Sequence, residues 1–237
     1  MKWLIAMAQV LLLAATFTEA RAEEGRLTSV APIEGGERWA LAYENDFLVP
    51  GSRDQDYTYG ISLSLAKTSL VGAHSHSPLA LIDQLFGGEG EAYCGGVELG
   101  LYGFTPEDIE RDSLDVSDRP FASLVYVSTS IEHHSADQTQ VRRSQMTYGI
   151  LGLGWVGQIQ EATHAVLDGD KPKGWDQQIA EGGEFTLRYS GSQQRLLNPG
   201  NPHTEWRLTQ QVSLGYITEA SVGLSFRSGR LNSVWHN

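Results

Sequence analysis

The feature that most limits what this chain can fold into is the period at which its apolar residues recur. From Trp39 onward they fall on every second position. Trp39, Leu41 and Tyr43 alternate with Ala40, Ala42 and Glu44, and Tyr57, Tyr59, Ile61, Leu63 and Leu65 alternate with Thr58, Gly60, Ser62 and Ser64. A period of two puts one set of side chains on each face of an extended strand, so the pattern predicts β-strands with one apolar and one polar face. It returns at Val97, Leu99 and Leu101, at Val125, Val127 and Ile131, at Leu151, Leu153 and Trp155, and at Phe185, Leu187 and Tyr189. Two further strands run through 206–216 and 220–226, which brings the count to about eight. The opposite faces hold Gly, Ser, Thr, Gln or charged residues, and aromatic residues gather towards strand ends. A soluble sandwich would turn the apolar face inward, whereas a transmembrane barrel would turn it to lipid. Alternation alone fits both.

The start of the chain favours the second arrangement. Met1-Lys2 is a short positive stretch, residues 3–15 are an apolar run, and Ala20-Arg21-Ala22 is a small-x-small cleavage site. Residues 1–22 therefore read as an export signal, with 23–237 as a single barrel domain. The apolar run is too short to span a bilayer as a helix, and no later stretch approaches the roughly 20 apolar residues such a span needs. Composition excludes other classes: 17 Lys and Arg against 29 Asp and Glu leave a net charge of −12, with no basic footprint for nucleic acid. The single cysteine, Cys94, rules out an intramolecular disulfide and a multi-cysteine zinc site. With 26 glycines the chain is too glycine-rich for a helical bundle.

In an up-and-down barrel, successive connections alternate between two rims. Residues 45–56, 104–120 and 157–183 then share one rim, and residues 66–95, 132–144 and 198–204 share the other. Bacterial barrels begin in the periplasm, so the first set is expected to face outward. That set carries most of the groups able to do chemistry. Glu44-Asn45-Asp46 ends the first strand and Asp54-Gln55-Asp56-Tyr57-Thr58 opens the second, which gathers carboxylates, an amide and a hydroxyl across one hairpin. Such hard oxygen donors suit Ca²⁺, although a solvated acidic loop has the same composition. Residues 157–167 read as a short helix with Gln160 and His164 four apart on one face, where an exposed His could serve as a general base for water. His74, His76, His133 and His134 fall in connections of the other rim and read as solvated loop residues. Gly152-x-Gly154-x-x-Gly157, with Asp176 about 20 residues on, imitates a dinucleotide fingerprint, but its flanking strands lack the continuous apolar character of a βαβ unit.

Taken in order, Glu44-Asn45-Asp46-Phe47, Asp56-Tyr57-Thr58-x-Gly60, Phe104-Thr105-Pro106-Glu107-Asp108-Ile109, Asp118-Arg119-Pro120-Phe121-Ala122, Gln160-x-x-x-His164 and Lys171-Pro172-Lys173-Gly174-Trp175-Asp176 resemble the LpxR-type lipid A 3′-O-deacylases over residues 39 to about 228. The resemblance implies an all-β, antiparallel outer-membrane barrel with a short helix in an extracellular loop. It further implies a Ca²⁺-dependent esterase that removes the 3′-linked acyloxyacyl group of lipid A at the outer leaflet. Asn45, Asp46, Thr58, Gln160 and His164 match the family's catalytic positions, with Asp46 near the Ca²⁺ and His164 as the base. Arg119 is placed to contact a lipid A phosphate. The implied partners are lipopolysaccharide and the outer membrane. Tyr59, Leu101-Tyr102 and Ser123 depart from the residues usual in the family, which bears on substrate fit. Family members have twelve strands, so the eight counted here suggest a C-terminally shortened barrel. A non-catalytic barrel, structural or pore-like, stands as the alternative.

Overall fold

The computed structural model describes residues 37–45, 59–74, 77–85, 91–111, 117–167, 171–231 and 235–236. The expected export signal and the positions Asp46 and Thr58 lie outside the described residues. Eight strands follow one another as an antiparallel meander: β1 (Arg38–Asn45), β2 (Tyr59–Lys67), β3 (Glu91–Phe104), β4 (Ala122–His134), β5 (Gln140–Leu151), β6 (Glu184–Leu196), β7 (Thr204–Gly215) and β8 (Glu219–Ser228). Each pairs with its sequence neighbours, and β1 and β8 form the two edges of the sheet. The count of eight anticipated from alternation holds, but the fifth strand lies earlier than Leu151, Leu153 and Trp155 suggested. It ends at Leu151, and Trp155 belongs to a helix, where its spacing from Leu151 no longer reflects a strand face. Among the described residues, no helix is long and apolar enough to cross a membrane.

Register turns the alternation into faces. Tyr43 sits opposite Ile61, Ile61 opposite Leu101, Leu101 opposite Val125, and Val125 opposite Ile150. Ile150 then faces Phe185, while Tyr189 faces Leu214 and Leu208 faces Leu224. One continuous apolar face results, and it is open to the surroundings: Trp39 is 74% and Leu99 58% exposed. The other face carries Ser62, Ser64, Glu98, Tyr126, Ser128 and Thr147. It is the concave one, because the Tyr102 hydroxyl on β3 reaches the Tyr216 hydroxyl beyond β7 at 3.2 Å. Residues 114 positions apart can meet this way only if the sheet curls around its polar side. Apolar outside and polar inside is the pattern of a lipid-facing wall. Aromatic residues flank the apolar band at both ends, with Trp39, Trp206 and Phe226 towards one rim and Tyr43, Tyr59 and Phe185 towards the other. Trp206 and Phe226 pair at 4.6 Å between ring centroids.

Short helices cover the outer face at both rims. Between β2 and β3, α1 (Leu70–His74) and α2 (Pro78–Leu85) were not evident from the sequence. Leu79 is fully buried against Ile131 and Met146, and the Ser144 hydroxyl donates to the Asp83 carboxylate. At the opposite rim, α3 (Gly154–Leu167) fills the β5–β6 connection and begins a turn earlier than the expected residue 157. His133 and His134, expected in a solvated loop, end strand β4 instead, and His134 is only 4% exposed.

The two faces predict opposite tolerance of charge. Leu99→Arg places a guanidinium on the lipid side and is expected to weaken folding into lipid vesicles by roughly 2–4 kcal/mol. Ser62→Arg, on the concave side, should change it little. Urea titration of vesicle-inserted protein measures both, and a reversed ranking would mean that the faces are inverted.

Candidate functional site

The β5–β6 connection builds a seam between α3 and the outer wall of the sheet. It starts with a reversal of the chain after β5, where Gly152 has φ 74° and its N–H donates to the Ser123 carbonyl at 3.0 Å. A Cβ at residue 152 would stand 1.9 Å from the Ala180 carbonyl oxygen, so only glycine fits. At Gly157 a Cβ would meet Trp175 Cγ at 2.5 Å; the bare backbone lets the indole lie flat on the helix. The glycine pattern that imitated a nucleotide fingerprint thus serves packing. Gly154, the middle member, has nothing nearby.

Trp175 begins a single 3-10 turn (Trp175–Gln177) and is the hub of the seam. It is 8% exposed and clusters with Ile109, Phe121 and Val156, and these rest on Tyr59, Leu101, Val125 and Leu153. Its ring centroid lies 4.9 Å from that of Phe121. Such an aromatic pair is worth about 0.5–1.5 kcal/mol beyond its area. Backbone bonds fasten the loop to its neighbours: Lys173 N–H to the Ile109 carbonyl at 2.7 Å, and Ile179 N–H to the Phe121 carbonyl at 2.8 Å.

The indole N–H donates to Gln160 Oε1 at 2.8 Å. That bond fixes which end of the amide points where. Gln160 is 4% exposed, and its Nε2 is buried with no hydrogen-bond partner. Gln178 repeats the arrangement: its Oε1 accepts from the Ser123 hydroxyl at 2.9 Å, and its Nε2 is also buried and unpartnered. A buried, unmet N–H costs about 1–3 kcal/mol, so each of these amide nitrogens is a donor suited to an oxygen of a bound molecule. Gln178 lay one turn beyond the Trp175-Asp176 motif and carried no sequence signal of its own.

His164 follows Gln160 by one helical turn on the same face and is half-buried. The face anticipated to look into solvent is therefore turned towards the wall, because Val156, Gly157 and Gln160 on that side are buried. Trp155 and Ile159 take the exposed side of the helix. Asn45 closes β1 directly opposite Tyr59, whose ring packs into the same cluster as Trp175. The structure thus puts Gln160 and His164 on one face of α3 and Asn45 at the end of the strand beside Tyr59. Arg119 is exposed just before β4, and Asp118 beside it accepts from the backbone N–H groups of Arg119 and Glu107, each at 2.7 Å.

The glycines give a graded test. Gly152→Ala and Gly157→Ala should each loosen the seam by about 1–3 kcal/mol through overpacking, seen as faster proteolysis between residues 152 and 183. Gly154→Ala should be neutral or mildly protective. Equal behaviour of all three would contradict the packing role.

Comparisons with known proteins agree with this architecture. The family model for "Outer membrane protein LpxR" matches residues 5–236. Among solved structures, LpxR from Salmonella typhimurium superposes with a TM-score of 0.58 at 14% sequence identity, over 81% of this chain and 62% of that one. The chain thus matches less than two thirds of that relative's length, and the likeness is one of fold. No curated sequence matches this one. With an apolar outer wall, a polar concave face and a family model spanning nearly its whole length, the chain belongs to the LpxR family of outer-membrane proteins.

Proposed function

We propose that the seam between α3 and the outer wall is the active site of a lipid A 3′-O-deacylase, exported through the signal at residues 1–22 and working at the outer leaflet. The observation that carries this reading is the buried, unpartnered Gln160 Nε2, held in place by Trp175, one turn from His164 and on the lipid side of the wall. An ester linked to a fatty acyl chain brings an apolar tail and a carbonyl oxygen to one place. The seam offers the matching surfaces, an apolar wall and amide donors.

In this reading His164 takes a proton from a water molecule as its oxygen attacks the 3′-acyl carbonyl carbon. Negative charge collects on the carbonyl oxygen, where Gln160 Nε2, with Asn45 beside β2, donates hydrogen bonds that strengthen as the charge grows. The tetrahedral centre then collapses, the C–O bond to the sugar breaks, and the His164 imidazolium returns its proton to the departing alkoxide. The products are a free acyloxyacyl acid and a 3′-hydroxyl. Thr58 completes the polar set, and Arg119 at the rim suits a lipid A phosphate.

Calcium is part of the proposal. Gln160 turns an N–H₂ rather than an oxygen towards the seam, so it does not fit as a ligand; the carboxylate of Asp46 is the hard oxygen donor that fits Ca²⁺. When bound, the ion would add electrophilic stabilisation of the ester carbonyl.

Mass spectra of lipid A from cells producing each variant test the reading. His164→Ala is expected to lower 3′-deacylation by about 10²- to 10⁴-fold while the protein still assembles. Asp46→Ala and chelation of Ca²⁺ should each act in the same direction. Unchanged deacylation in His164→Ala would remove the assigned base. Lipid A that is identical with and without the wild-type protein would favour the alternative, a barrel without hydrolytic activity.

A further inference from the structure

A second cluster of chemically capable side chains lies on the concave face at the opposite rim, far from the seam and independent of it. Glu132 and His134 point inward from the end of β4, and His236 is tucked against them from the C-terminal segment. All three are buried, and their candidate ligand atoms lie within 4.8 Å of one another. We propose that Glu132, His134 and His236 form a binding site for a divalent first-row transition-metal ion, with Zn²⁺ as the representative.

The hydrogen bonds around the cluster are those expected of partners that orient ligands. Gln138, at the tip of the β4–β5 hairpin, has φ 56°, and its amide nitrogen donates to the Ser135 carbonyl at 3.3 Å. This turns its Oε1 towards His134 Nδ1, also at 3.3 Å, so Nδ1 is the protonated nitrogen of that ring. The Nε2 faces Glu132 Oε1 at 2.7 Å, a pair of ligand atoms that a divalent cation would hold together. Arg143 takes the other carboxylate oxygen, Oε2, at 3.0 Å and so leaves Oε1 to the histidine side. Tyr93 stacks on His134 at 4.3 Å between centroids.

The C-terminal ligand is positioned too. The Trp235 indole N–H donates to the Gln138 carbonyl at 2.7 Å, and Arg207 donates to the Trp235 carbonyl at 3.3 Å. A cavity lined by Glu132 and His236 is completed by Val141, Arg143, Ser192 and Gln194. The Oε1 of Gln194 is buried with no hydrogen-bond donor, so a further oxygen faces the place where a fourth ligand or a metal-bound water would stand. Two imidazoles and one carboxylate suit Zn²⁺ and its neighbours in the first row better than Ca²⁺ or Mg²⁺, which prefer all-oxygen sets. Arg143 is paired with Glu132 and Arg207 with the Trp235 carbonyl, and their charge opposes any cation here, so binding rests on the ligand bonds themselves.

The test is metal binding by the full chain, stripped with a chelator and refolded in detergent. Dialysis against Zn²⁺ is expected to leave one ion per chain, and Co²⁺ in its place should give visible absorption bands of a low-symmetry site. His134→Ala and His236→Ala should each weaken binding at least tenfold, whereas His164→Ala should retain the ion and the Co²⁺ bands. His236 lies outside every strand, so its variant remains informative if His134→Ala disturbs folding. Absence of a Co²⁺ spectrum in the wild type, or the same stoichiometry and affinity in His236→Ala, would overturn the proposal and leave the His134–Glu132 contact as a proton-bridged pair.

Discussion

The peptide backbone sets the terms for everything else in this molecule. In hydrocarbon an unsatisfied N–H or C=O costs several kcal/mol, so a chain that enters lipid as strands must pair them in a continuous ladder. The eight-strand meander pairs every neighbouring strand, with β1 and β8 as its edges, and its register lines up one apolar and one polar face from β1 to β8. A slip of one residue in any pair would send a row of Ser, Gln or Glu side chains into lipid. The period-two pattern is therefore both the instruction for the fold and the guard against misregister.

A wall with its apolar face outward also decides where the proposed hydrolysis of a lipid ester would be placed. The concave face is polar, whereas the outer face is apolar and carries few polar groups. The β5–β6 connection resolves this by laying α3 over the outer wall and wedging Trp175 between them. The indole does two things at once: it fills the gap against Phe121 and Val156, and it holds the Gln160 amide by its oxygen. Stability and donor geometry in the seam thus rest on the same side chain.

The strand faces were legible because alternation is a local signal that reads out directly as side-chain direction. The helix carrying Gln160 and His164 was legible for a similar reason, since an i, i+4 spacing fixes a shared face. Its orientation was not, because the choice between solvent and wall depends on Trp175, fifteen residues further on. Gln178 was missed because an amide gains meaning only when its oxygen is occupied and its nitrogen is not. The His133-His134 pair was misplaced because a polar run at a strand end looks like a loop until register puts Glu132 opposite Arg143 and brings in His236 from beyond β8. Asp46 and Thr58 remain positions known from the sequence alone.

The central claim is that substrate lies on the outer side of the wall, beneath α3, and not within the polar interior. Site-specific photocrosslinking tests it most directly, with a photoreactive amino acid at residue 153 in the seam or at residue 126 on the concave face. A His164→Ala background keeps the substrate intact. The account predicts crosslinks to lipopolysaccharide acyl chains from residue 153 and none from residue 126. Crosslinks from residue 126 alone would contradict it.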